Sequence, residues 1–301
     1  MKKILVADPL NPEAFEELKS VPDFEVTLKT GMDEEELIKT IPDYNAAVVR
    51  SATKVTKKAI EAASNLEIIV RAGIGLDNID VAAAQEKGIQ VANTPAATSV
   101  SVAEHTLGLM IATVRNHGQA NLSMKQHKWE KKALSGTELY EKTLGIIGMG
   151  RIGQEVAKRA LAFGMKVIAY DIVDVQTELD VQQVSWEQLL SQADIITLHL
   201  PLTEKTKHMI SDKEFEMMKE EAIIINASRG GTVDEQALLR ALASGKVRAA
   251  AMDVFEKEPP VEFSLIDHPN VIATPHIGAA AKEGQNRAGM EVVKILKEKF
   301  T

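Results

Sequence analysis

Three stretches of the chain end an apolar run on a residue able to do acid–base or anion chemistry. "AIIINASRGGTVDE" (222–235) runs into a lone cation, Arg229, followed by Gly230 and Gly231. "AAAMDVFEKEPP" (249–260) leads to Asp253, Glu256 and Glu258. "NVIATPHIGAA" (270–280) ends at Pro275 and His276, with Gly278 close behind. Taken singly, each has an ordinary explanation. As a set they suit reduction of a 2-keto acid by hydride. An arginine can hold the carboxylate in a two-point grip and polarise the carbonyl. A histidine can give a proton to the developing alkoxide. A carboxylate beside that histidine orients the ring and favours its charged form. The two glycines are expected to keep side chains away from the ligand.

Such residues work only if the fold delivers them to one edge. The apolar runs are "KILVA", "AAVVR", "LEIIV", "IQVAN", "TLGIIG", "KVIAYD", "DIITLHL", "AIIINA", "AAAMDV" and "NVIATP". They are continuous rather than alternating, as parallel strands covered on both faces must be. Amphipathic helical stretches separate them, among them "DEQALLRALASGK", with Asp234 to cap it and Gly245 to stop it. The rhythm predicts an α/β protein with two doubly wound parallel sheets. In open parallel sheets, ligands bind at the carboxyl ends of strands. Asn93–Ala96 reads as a turn and a seam. After it, Ser99 or Ser101 is expected to cap a helix from about Val102. That helix is apolar almost all round until Arg115, which suits a subunit interface.

A cofactor site is written into "KTLGIIGMGRIGQEVAKRALAFGMKVIAYD". A strand precedes Gly148, Gly150 and Gly153, a helix follows, and a second strand ends at Asp171. The first glycine permits the turn, the second lets the backbone approach a pyrophosphate, and the third packs helix on strand. The phosphates meet unpaired N–H groups at the helix start. Asp171 suits the ribose hydroxyls and repels a 2′-phosphate, which predicts NAD rather than NADP. Arg151 and Ile152 lie inside the loop and join the candidate contacts.

The 301 residues suit two domains, and the net charge of −8 makes nucleic acid and anionic membranes poor partners. There is no cysteine, which excludes disulfides and thiolate metal sites and fits a reducing, cytoplasmic setting. No metal site is expected. No apolar run approaches the roughly 20 residues of a membrane span, and the N-terminal run Ile4–Ala7 is too short for a signal peptide.

The ordered set "RSATKVT", "RAGIGLDNID", "NTP", "SVAEHTLG", "KWEKKALSGTEL", "GMGRIGQEVAKR", "HLPLTEKTKHMI", "NASRGGTVDEQALLRAL", "DVFEKEPP" and "PHIGA" covers nearly all of the chain. In it the chain resembles the D-isomer-specific 2-hydroxyacid dehydrogenase family, and within that family its phosphoglycerate dehydrogenase branch. The resemblance implies a flavodoxin-like substrate domain from residues 1–95 and 281–301, and an NAD-binding Rossmann domain at 96–280. It implies Arg229 as the carboxylate-binding arginine, Glu258 as the acid partner and His276 as the proton donor. Glu256 is the weaker acid candidate, since the family's acid directly precedes the proline. His199, Pro201 and Thr206 would line the adenosine side. Ala227, Ser228, Asp253 and Gly278 would approach the nicotinamide half, with Asp253 near the carboxamide. Arg50, with Ser51, would contact a substrate phosphate, and Lys54 is either a neighbour of that phosphate or a solvated charge. Gly73 and Ile74 would offer backbone N–H groups to the substrate carboxylate.

The activity implied is NAD-dependent interconversion of 3-phosphoglycerate and 3-phosphohydroxypyruvate, a step of serine biosynthesis. The expected partner is a phosphorylated 2-hydroxy or 2-keto acid, and the expected assembly a homodimer or dimer of dimers. Rival readings are a glyoxylate or hydroxypyruvate reductase, which would share the triad, and an NAD-sensing corepressor, which would carry extra segments. Two departures from the family stand out. Thr98 occupies a position where relatives often have asparagine. The sequence ends at Thr301, where many phosphoglycerate dehydrogenases continue into a serine-binding regulatory domain, so that control is expected to be missing.

Overall fold

Successive residues of a strand face opposite sides of the sheet, so a strand with helices on both sides must be apolar throughout. Ile223 and Ile225 enter one core layer, and Ile224 between them enters another. The computed structural model describes all residues, 1–301, and divides into two units. One is Met1–Ser99 together with Ala279–Thr301, and the other is Val100–Gly278.

In the first unit strands and helices alternate: β1 (Lys2–Val6), α1 (Pro12–Lys19), β2 (Phe24–Leu28), α2 (Glu34–Thr40), β3 (Ala46–Val49), α3 (Lys57–Ala62), β4 (Ile68–Arg71), α4 (Val81–Glu86) and β5 (Gln90–Asn93). All pairings are parallel, in the order β2-β1-β3-β4-β5. This is the flavodoxin-like winding. Its β1, β3 and β4 lie side by side, which brings their carboxyl ends together.

The second unit begins within α5 (Ser99–Val114) and continues through α6 (His117–Lys125), β6 (Thr143–Ile147), α7 (Arg151–Ala162), β7 (Lys166–Tyr170), β8 (Val181–Gln183) and α8 (Trp186–Gln192). It is completed by β9 (Ile195–Leu198), α9 (Asp212–Met217), β10 (Ala222–Asn226), α10 (Glu235–Ser244), β11 (Val247–Met252) and β12 (Val271–Ala273). The sheet order is β12-β11-β10-β9-β6-β7-β8, all parallel. Counted from β6, this is the Rossmann order 3-2-1-4-5-6 with one added edge strand. The chain then returns to the first unit as α11 (Lys282–Phe300), where Gly289 meets Ala14 of α1 and Val292, Val293 and Leu296 are buried.

Helix α10 is capped as expected. The Asp234 side chain accepts the Ala237 N–H at 2.9 Å, and Gly245 closes the helix at φ 81°. Helix α5 begins at Ser99 rather than near Val102. The Ser99 hydroxyl donates to Pro95 O at 3.2 Å instead of capping a helix three residues on. Ala103, Leu107, Met110 and Val114 of α5 pack against Leu144, Ile146 and Ile225 in the unit's own core, which accounts for much of the helix's apolar character. No helix is long and apolar enough to cross a membrane.

Candidate active site

The glycine-rich turn between β6 and α7 has its shape for stated reasons. Gly148 sits at φ 94°, and a Cβ there would lie 2.5 Å from His199 O. A Cβ on Gly153 would overlap Gly148 O, so helix and strand meet in direct backbone contact. A Cβ on Gly150 would meet nothing within 4 Å. The space in front of Gly150 is open, and the first intrahelical bond is Gln154 N to Gly150 O. The N–H groups of the first turn therefore remain available to an anion. Arg151 opens α7 with an exposed side chain, and Ile152 is half-buried behind it. At the end of β7, Asp171 accepts the Met149 N–H at 2.8 Å and the Val173 N–H at 3.3 Å. A carboxylate has about four acceptor positions, so capacity remains for a ribose diol. The open cradle and the acid together fit NAD.

On the neighbouring strand, His199 packs its backbone against Gly148. Its Nε2 lies 3.1 Å from the Thr197 hydroxyl, and its Nδ1 is buried without a partner in the chain. The residue as a whole is half-buried, but the ring nitrogens are shielded, and burial pushes the imidazole down to about 3. His199 is thus neutral across the working range. The Thr206 hydroxyl donates to Pro201 O at 2.7 Å and accepts from Thr203 N at 2.8 Å. It closes its own turn.

Beyond β10 the chain is organised by Asn226, which is fully buried. Its Oδ1 accepts from the Ser228 N–H (3.1 Å) and hydroxyl (2.9 Å), and its Nδ2 donates to Arg229 O at 3.1 Å. The Thr232 hydroxyl donates to the same carbonyl at 2.8 Å. Ala227 and Ser228 are buried, whereas Arg229 is half-buried and donates to Ser228 O at 2.7 Å. The two glycines differ from expectation. A Cβ on Gly230 would overlap Phe255 O, so the space is filled by protein backbone rather than kept clear for a ligand. Gly231 is at φ 77°, a conformation that favours glycine. The arginine loop and the loop that carries the acids are therefore in contact.

The two glutamates of that second loop part ways. Glu258 Oε2 lies 2.7 Å from His276 Nδ1, and its Oε1 accepts the Phe255 N–H at 3.1 Å. Glu256 turns to His208 Nε2 at 3.0 Å and accepts the Glu235 N–H at 3.2 Å. Burial alone would raise the Glu258 carboxyl, but the bonds from His276 and Phe255 hold it below its ordinary value. An ionised carboxylate only accepts, so Nδ1 of His276 carries its hydrogen and Nε2 is left for a ligand. His276 has φ 52°, held by its N–H to Asp253 O at 2.8 Å.

Asp253 was expected beside a carboxamide. Its carboxylate is largely engaged by the loop that carries His276. It accepts from Thr274 Oγ1 (2.5 Å), Ile277 N (2.9 Å) and Gly278 N (2.8 Å), with His105 Nε2 of α5 at 3.3 Å. Burial would raise this acid too, yet these donors hold it below the ordinary value. Sequence reasoning passed over Asn226, Thr232, Thr274 and His105. Asn226 and Thr274 carried a signal, a polar residue at or just past the end of an apolar strand, which must find partners if buried; Thr232, in the loop after β10, and His105, within α5, carried none.

In the first unit, Arg50 is half-buried and donates through one guanidinium nitrogen to Pro9 O at 3.3 Å. Ser51 and Lys54 are exposed. The Gly73 N–H is engaged with Arg71 O at 2.9 Å, so of the expected pair only Ile74 keeps an N–H without a protein acceptor. Thr98 is buried, and its hydroxyl has no partner. No group of three or more acids, histidines or cysteines is arranged to hold a metal ion.

Known proteins resemble the chain in both sequence and fold. Residues 107–278 match the model of the D-isomer specific 2-hydroxyacid dehydrogenase NAD-binding domain. The chain is 54% identical to the hydroxypyruvate reductase of Thermotoga maritima over 98% of each protein. It is 52% identical to the D-3-phosphoglycerate dehydrogenase of Methanocaldococcus jannaschii over 99% of its own length, but spans only 57% of that protein. Its fold superposes on the Aquifex aeolicus D-lactate dehydrogenase complexed with NAD and lactic acid with a TM-score of 0.87 at 31% identity, over 99% of this chain and 95% of that one. The chain belongs to the D-isomer specific 2-hydroxyacid dehydrogenase family, and it is an NAD-dependent dehydrogenase of that family.

Proposed function

We propose that the protein interconverts 3-phosphoglycerate and 3-phosphohydroxypyruvate, with Arg229, Glu258 and His276 as its catalytic residues. The observation that carries the chemistry is the 2.7 Å pair of His276 Nδ1 and Glu258. Glu258 of that pair stands on a loop packed against the arginine loop through Gly230 and Phe255. NAD, when bound, would supply the hydride in its reduced form and accept it in its oxidised form. Arg229 holds the substrate carboxylate and draws electron density from the keto oxygen. His276 gives the Nε2 proton to that oxygen as the keto carbon gains the hydride, and takes it back in the oxidative direction. Glu258 keeps the imidazole oriented and balances its charge. Asp253, with Thr274 and His105, fixes the loop on which His276 stands.

The first unit is read as the substrate domain, with Arg50 and Ser51 as phosphate contacts and Ile74 as a backbone donor to the carboxylate. The phosphate assignment rests on Arg50 and on likeness to phosphoglycerate dehydrogenases of which this chain spans little more than half, 57% in one case. The full-length match to a hydroxypyruvate reductase favours a second reading, in which the distal group is a hydroxymethyl. An NADH-coupled assay comparing 3-phosphohydroxypyruvate, hydroxypyruvate, glyoxylate and pyruvate at equal concentration separates them. Arg50→Ala should penalise the phosphorylated substrate and spare hydroxypyruvate. Equal loss on both would return the protein to a general 2-hydroxyacid dehydrogenase. We extend the reading to a cytoplasmic homodimer serving serine biosynthesis; the assembly is tested by light scattering on the purified protein.

A further inference from the structure

The loop after β3 is pinned from two sides by residues with no part in the chemistry. Asp8, just past β1, is 3% exposed, so its charge cannot be supported by water. Its carboxylate accepts the Arg50 N–H at 2.6 Å, the Thr53 N–H at 3.2 Å and the Thr53 hydroxyl at 2.8 Å. Asn78, in the segment after β4, donates Nδ2 to the carbonyls of the same two residues, Arg50 at 2.8 Å and Thr53 at 2.6 Å. Two carbonyl acceptors decide which way this amide faces, and its Oδ1 is left buried without a partner. Arg71 Nε adds a second donor to Arg50 O at 3.3 Å. The first and last residues of the four are thereby fixed through both their N–H and C=O groups. Between them Ser51 and Ala52 are exposed, and their N–H groups have no acceptor in the protein.

A turn after a parallel strand needs none of this. A buried carboxylate is costly unless several donors converge on it, and an orphaned amide oxygen is a further cost. What the arrangement achieves is rigidity in one loop, the one that carries Arg50. We propose that Asp8 and Asn78 are positioning residues that hold the Arg50–Thr53 loop in a ligand-ready shape, so that Arg50 and the Ser51 and Ala52 N–H groups meet the anionic distal end of the substrate without first being ordered. The inference rests on the reading of Arg50 and Ser51 as substrate contacts. Preorganisation lowers the ordering cost of binding and therefore acts on the apparent affinity for that end of the ligand.

The test compares Asp8→Asn, Asn78→Ala and Arg50→Ala in the full chain, with 3-phosphohydroxypyruvate and hydroxypyruvate as the two probes. An asparagine at position 8 turns an NH2 group towards at least one donor that the carboxylate now accepts. Asn78→Ala frees the same loop from its other side and serves if Asp8→Asn does not fold. Each should raise KM for 3-phosphohydroxypyruvate roughly tenfold, the scale of a lost charge-assisted bond, with a smaller change in kcat and in KM for hydroxypyruvate. Amide exchange at residues 51–53 should quicken, and NADH affinity by fluorescence titration should hold. A raised KM in Arg50→Ala with unchanged KM in both other variants would overturn this inference alone. An unchanged KM in Arg50→Ala would overturn the phosphate reading and this inference with it.

Discussion

Replacing Glu258 by glutamine tests the proton-transfer pair most directly. Glu258 now accepts from two donors, His276 Nδ1 on one oxygen and the Phe255 N–H on the other. Glutamine keeps one acceptor and puts an NH2 in place of the second, so one of those bonds is lost and the charge goes with it. A hydrogen bond to a charged group is worth about 1.5–3 kcal/mol. The side chains of the pair are 44% and 37% exposed, which places the effect at the low end because solvent screens it. About 1.4 kcal/mol corresponds to a factor of ten in rate. The carboxylate orients the imidazole and balances its charge while the proton passes to the keto oxygen. In Glu258→Gln kcat/KM for reduction should therefore fall about tenfold, read with NADH saturating, while NADH affinity holds. The Glu258 carboxyl is itself held below the ordinary value, so its contribution to folding is present above the usual carboxylate range and is lost as pH falls through the lowered value. An unchanged kcat/KM in Glu258→Gln would refute the pairing as part of the proton transfer.

Arg229→Lys should lower kcat/KM for keto-acid reduction by about 10²–10³, since lysine cannot reproduce a planar two-point grip, while NADH affinity by fluorescence titration stays close to wild type. Asp171→Ala should weaken NADH more than NADPH and narrow the gap between them, checked by KM for each cofactor; equal use of both by the wild type would remove the role given to Asp171. Thr98→Val should leave thermal stability unchanged or raise it, because the buried Thr98 hydroxyl makes no bond and an unmade bond is a cost; a marked fall in Tm would mean that the hydroxyl has a partner.

The ten continuous apolar runs all became strands, and the sheets hold two more, β2 and β8. Both lie on sheet edges, and that is why they were passed over. β2 reads Phe-Glu-Val-Thr-Leu, with Phe24 buried and Glu25 and Leu28 exposed. A strand paired on one side and wet on one face alternates rather than running apolar. β8 is only Val181–Gln183. A search for continuous apolar runs finds the interior of a doubly wound sheet and those edge strands, β5 and β12, that are still apolar, and misses an edge strand that alternates or is very short. Helix starts are blurred for a similar reason: a serine before an apolar helix reads as a cap whether its hydroxyl turns forward to the helix or back, as Ser99 does, to Pro95.

The candidate site was legible where chemistry itself demands a residue type, and illegible where a residue only holds another in place. An arginine, an acid before a proline and a histidine are conspicuous at strand ends because packing does not call for them there. Asn226, Thr232, Thr274 and His105 are not, since nothing in sequence separates a buried polar residue from an exposed one. Burial makes the difference. Asn226 is fully buried and meets it with bonds to Ser228 and Arg229, so a polar group that must be satisfied becomes the template for the arginine loop. Asp253 does the same for the loop of His276, and Asp8 for that of Arg50. In each case a buried polar side chain at or just past the carboxyl end of a parallel strand takes its partners from the loop beside it. A strand-end Asn or Asp after an apolar run therefore predicts a fixed loop, and the residues that loop carries are the ones to test for function.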